Sequence, residues 1–70
     1  MKFREGDLVT LIGNTADETN VPQGTEGEII MIHPKGYYEV WFPGPGLKPE
    51  AVSTVKGDNL VLAKRLERTA

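Results

Sequence analysis

The chain has no cysteine and a single histidine, His33, in 70 residues. No disulfide can staple it and no cysteine–histidine set can hold a structural zinc, the two devices by which very small domains often make up for a small core. Stability therefore has to come from packing or from association with another chain. No apolar run approaches the roughly 18 residues of a membrane-spanning helix. The opening Met1-Lys2-Phe3-Arg4-Glu5 lacks the apolar stretch of a secretory signal. With cysteine absent as well, the expected location is the cytoplasm. Basic residues are scarce through the middle: residues 5–63 hold only Lys35, Lys48 and Lys56, against nine acids. The formal net charge of −2 argues against a general nucleic-acid binder, which needs clustered Lys and Arg on phosphates. The ends differ, because five of the eight basic residues stand there: Lys2, Arg4, Lys64, Arg65 and Arg68. If folding brings the ends together, they form either a basic edge on an acidic body or two solvated termini.

What the chain does have is a β-hairpin written into residues 24–42. Gly24-Thr25-Glu26-Gly27 leads into the apolar run Glu28-Ile29-Ile30-Met31-Ile32-His33, Pro34-Lys35-Gly36 turns the chain, and Tyr37-Tyr38-Glu39-Val40-Trp41-Phe42 returns. The two glycines imply a tight turn with positive φ or a close backbone approach. In the returning strand Tyr38, Val40 and Phe42 share one face, and Tyr37, Glu39 and Trp41 the other. The face carrying Glu39 is expected outside, with Trp41 beside Met31 or His33. A first strand is expected over residues 8–12, with Val9 and Leu11 on one face and Leu8, Thr10 and Ile12 on the other; both faces are apolar enough to be covered. The polar, aperiodic stretch 13–23 reads as a long loop and the Pro/Gly-rich stretch 43–49 as a second one. A fourth strand is expected over 51–56, a turn or 3₁₀ step at Gly57-Asp58-Asn59, and a fifth strand at Leu60-Val61-Leu62. The expected fold is all-β: one five-stranded small barrel over residues 1–63, with a short C-terminal tail at 64–70.

The spacing of three motifs resembles small bacterial domains of unknown function with an SH3-like or KOW-like barrel. These run Gly-Asp-x-Val, then Gly-x-x-Gly-x-Ile-Val-x-Val-Tyr-Pro-x-Gly, then Tyr-Glu-Val-x-Phe. The corresponding residues are Gly6-Asp7-Leu8-Val9, then Gly24 through Gly36, then Tyr38-Glu39-Val40-Trp41-Phe42. The resemblance covers residues 6–62 and implies the barrel; barrels of this class mostly bind proteins or RNA. Three residues depart from the pattern. Glu26 stands where such domains often carry an aliphatic residue, His33 replaces an aromatic, and Trp41 fills an outward position that is commonly charged.

Trp41, with Tyr37, Met31 and His33, is the leading candidate for a partner-binding face, since Trp and Tyr are enriched at interface centres. The same indole could instead pack under Leu66 or against the 43–49 loop, or pair two copies in a homodimer. His33 alone is a poor metal ligand, and Asp17 with Glu18 lacks the spaced pattern of a calcium loop. No metal or cofactor is expected. Ser53 and the threonines have no histidine placed to activate them, so no hydrolytic set can be argued and the chain is not expected to be an enzyme. The expected function is a small non-catalytic module that binds a partner protein or itself. The alternative is an RNA- or ribosome-associated KOW-like domain that contacts phosphates through Lys2, Arg4, Lys64, Arg65 and Arg68 and stacks bases on Tyr37 or Trp41.

Overall fold

The computed structural model describes residues 2–17, 21–43 and 51–65. Five strands are built from them: β1 (Leu8–Leu11), β2 (Glu26–Ile32), β3 (Tyr37–Phe42), β4 (Ala51–Lys56) and β5 (Leu60–Lys64). All pairings are antiparallel and the spatial order is β4-β3-β2-β1-β5. The all-β architecture is thus as expected, but the hydrogen bonding does not close it into a barrel. Among the described residues no ladder joins β4 to β5, and the sheet is open.

Two turns set the hairpin. Thr25 N–H donates to Pro22 O at 3.2 Å across a four-residue turn in which Gly24 has φ +90°, a value that L side chains rarely tolerate. Gly27 serves the other purpose expected of these glycines. A Cβ there would lie 2.7 Å from Phe42 Cδ1, Val40 Cγ1 and Trp41 O, so its bare backbone lets β2 lie close against β3. The reversal between β2 and β3 is a 3₁₀ turn at Pro34–Gly36.

The inner face of the sheet holds the core. Val9 and Leu11 of β1, Ile29 of β2, Tyr38, Val40 and Phe42 of β3, Val55 of β4 and Leu60 of β5 are all buried. Phe3 joins them from the N-terminal arm. Its ring meets Tyr38 edge-to-face at 5.2 Å, and its backbone N–H donates to the Tyr38 hydroxyl at 3.2 Å. Burying that one ring contributes about 1.5–3 kcal/mol, a sizeable share for a sheet with so few core residues.

The expectation that β1 is covered on both faces is not met. Leu8 and Thr10 are only half-buried and Ile12 is 50% exposed, because the arm that could have covered them turns Phe3 to the inner face instead. The long loop after β1 caps the free edge of β4 at Thr54, as Ala16 N–H donates to Thr54 O at 2.7 Å and Thr54 N–H to Asp17 Oδ2 at 2.9 Å. That protects an edge that would otherwise offer unpaired backbone groups to another chain. The expected second loop and tail fall largely on residues 44–50 and 66–70, which lie outside the described residues, as does Glu18.

Candidate functional site

Strand pairing assembles one row across the outer face. Lys64 of β5 faces Leu8 of β1, Leu8 faces Glu28 of β2, Glu28 faces Trp41 of β3, and Trp41 faces Val52 of β4. At about 4.8 Å per strand, the row presents leucine, tryptophan and valine to one side of the molecule, with Val52 48% exposed. Two shallow depressions lie along it. One of about 220 Å³ is walled by Gly6, Leu8, Glu28 and Lys64. The other, of about 70 Å³, is walled by Leu8, Glu26, Gly27, Glu28, Trp41 and Pro43. Leu8 and Glu28 border both, so the two form one trough.

The four residues expected to bind a partner share this outer face in two groups. Trp41 does not lie beside Met31 or His33; its cross-strand neighbours are Glu28 and Val52. The turn register sets Met31 opposite Glu39, two residues short of Trp41, and a bulge at Ile30 then brings Glu28 rather than Ile29 opposite the indole. Met31 and His33 therefore gather at Glu39: Met31 is opposite it and 52% exposed, and His33 Nε2 lies 2.8 Å from its Oε1. Thr54 Oγ1 donates to the same carboxylate oxygen at 3.1 Å. Tyr37, half-buried, stands opposite Lys56.

The basic ends converge around an acid. Asp7 is only 2% exposed, and the Arg65 guanidinium reaches it with Nη2 at 3.0 Å from Oδ2 and Nε at 3.2 Å from Oδ1. Arg4 N–H donates to Asp7 Oδ2 at 2.9 Å, and Arg65 Nη2 donates to Lys2 O at 3.4 Å. The hydrogen bond from Arg65 holds the Asp7 carboxyl below its ordinary range against the opposing effect of burial, and the same bond raises Arg65. Lys2 Nζ lies 3.5 Å from Gly57 O and 5.5 Å from the Phe3 ring centre. Lys64 is exposed and borders the trough, while Arg68 lies outside the described residues.

Ser53 and Asp17 are engaged with each other in the fold. Ser53 is fully buried and its Oγ donates to Asp17 Oδ1 at 2.7 Å, clasping the long loop to β4. Among the described residues no group of three His, Cys, Asp or Glu is placed to hold a metal ion. Sequence reasoning missed Leu8 and Glu28 as neighbours of Trp41. Glu26 carried a signal, since it departs from the aliphatic residue usual at its position. Comparison with protein-family models, with curated protein sequences and with solved structures returned no match.

Proposed function

We propose that this chain is a non-catalytic protein-interaction module of SH3-like design that binds a partner protein through the outer-face row centred on Trp41. The observation that carries the reading is the row itself, which puts a partly exposed indole and a half-exposed valine on adjacent strands, with a leucine one strand beyond Glu28, along a trough. Rigid aromatic area of this kind is what interface centres use. A different protein suits the face better than a second copy. A two-fold pairing centred on the row would set Glu28 against Glu28, a like-charge contact that opposes association. The cytoplasmic and bacterial setting of this reading rests on composition and resemblance alone.

The RNA-binding alternative has one observation in its favour, the convergence of Lys2, Arg4 and Arg65. Against it, the Arg65 guanidinium is bound to Asp7, and Glu26 and Glu28 flank the indole that would stack a base. Phosphates approaching that ring would meet carboxylates. A photo-cross-linking amino acid at Val52, compared with one at Ile12, tests the protein reading. A discrete adduct with a different protein from position 52, lost in Trp41→Ala while the fold is retained, supports it; equal adducts from both positions or adducts only between copies overturn it. Labelled single-stranded RNA that binds at low salt and is released as salt rises would instead favour the alternative.

A further inference from the structure

We infer that the depression beside Trp41 receives a basic side chain, arginine or lysine, of the partner protein. This rests on the interaction reading above and adds the chemistry of what is bound.

Asp7 is held by Arg65, Asp17 by Ser53 and Thr54, Glu39 by His33 and Thr54, and Asp58 by Lys56 at 3.8 Å. Among the described residues Glu26 and Glu28 have no ion-pair or side-chain hydrogen-bond partner, and both wall the same small depression. They stand two residues apart on β2, so their side chains leave the same side of the strand about 7 Å apart along it. Glu28 is half-buried directly opposite Trp41. Glu26 is exposed, and two carboxylates of like charge at this spacing feel a modest repulsion.

A cation placed between them and against the indole relieves it, gaining carboxylate pairing and a cation–π contact at one point. The size agrees. About 70 Å³ is the space of roughly two waters at about 30 Å³ each, enough for a planar guanidinium or the end of a lysine. Leu8 on the adjoining wall offers an apolar surface along which the methylene stem can lie. Lys64 does not already fill the role: it faces Leu8 from β5 and walls the neighbouring depression, and it is not within ion-pair distance of Glu28.

The test uses the full chain labelled with ¹⁵N and two short extended peptides, one with a central Val-Arg-Val and the other with citrulline, the neutral isostere, in place of arginine. Titration of the arginine peptide at low salt should move the amide signals of Leu8, Glu28 and Trp41 and the Trp41 indole signal. The citrulline peptide should bind about tenfold more weakly, and the double variant Glu26→Gln, Glu28→Gln should lose about tenfold for the arginine peptide only. Equal binding of the two peptides, indifference to the double variant, or signals moving elsewhere each overturns the inference. The cross-link from position 52 separates this failure from the broader one. An adduct that persists in the Glu26→Gln, Glu28→Gln chain sinks the basic-residue inference and leaves the interface standing, whereas absence of any Trp41-dependent adduct removes both.

Discussion

The two faces of β3 carry matched sets of side chains with opposite fates. Tyr38, Val40 and Phe42 are 3%, 0% and 0% exposed, while Tyr37, Glu39 and Trp41, interleaved with them, are all partly open. Each set has two aromatics, so residue type does not decide which face is core. Strand phase decides it, and phase in β2 is set by a single bulged residue. Were the pairing regular from Ile32 and Tyr38 onward, Ile29 would fall opposite Trp41 on the outer face and Ile30 would point inward. The bulge at Ile30 restores Ile29 to the core and leaves Glu28 to meet the indole. One extra residue thus decides whether Trp41 looks onto an aliphatic or an acidic neighbour.

The comparison breaks most visibly from the inside. Phe42→Ala should cost about 3–5 kcal/mol, most or all of the stability of a domain this small, and should abolish the urea transition or move it to the lowest denaturant concentrations. Gly27→Ala comes next. Its new Cβ would lie 2.7 Å from a backbone oxygen, Trp41 O, as well as from two core side chains, so β2 must move away from β3. About 2–3 kcal/mol is expected, and because the displaced strand carries Glu26 and Glu28, the Trp41 indole signal in NMR should shift as well. A Gly27→Ala chain with unchanged stability would mean that the two faces are not coupled through that glycine.

How much of this was legible depended on whether an interaction is local. Alternation alone placed β3 over residues 37–42 and β4 over 51–56, and it assigned Glu39 and Trp41 to the outside, because a period of two survives without knowledge of the partner strand. Phe3 and Asp7 were not legible as buried residues. Their partners are Tyr38 and Arg65, more than thirty residues away in the chain, and Phe3 sits in an arm with no strand pattern. The burial of Ser53 was not legible either, because its partner Asp17 is delivered by a loop 36 residues away in the chain. The trough was hidden for the same reason as the neighbours of Trp41, since a bulge leaves no mark in composition and register fixes which side chains meet across strands.

The Asp7–Arg65 pair, which ties the N-terminal arm to the end of β5, sharpens the comparison from the rim. Arg65→Met should lower the urea midpoint at neutral pH, as it leaves a buried carboxylate with only the Arg4 N–H. The native carboxyl is held below its ordinary value, so its contribution is complete above about pH 4, the unfolded range, and is lost as pH falls through the lower native value. Removing Arg65 raises that native value. The gap in urea midpoint between the wild-type and Arg65→Met chains should therefore be widest near neutrality and narrow below about pH 4; a gap constant with pH would mean that Arg65 acts by packing alone. Ser53→Ala should cost about 1 kcal/mol, read as a shift in urea midpoint, because Asp17 keeps the Thr54 N–H and the clasp is weakened without opening.

Trp41→Ala should have the smallest effect on folding, and that smallness separates the two faces. The indole is large, but it is partly open to water and lies on the side of the sheet away from Phe42 and Val40, so its removal leaves the packing of those two core side chains in place. A loss of about 1 kcal/mol is expected, measured as a small shift in urea midpoint with an unchanged slope, with the chain monomeric by sedimentation before and after. A loss approaching that of Phe42→Ala would make the indole a core residue that happens to touch solvent, and the outer face would then have no anchor to offer. A small loss together with disappearance of the cross-link from position 52 is the combination that only an interface residue gives, because an aromatic serving the sheet alone would change stability and binding in proportion.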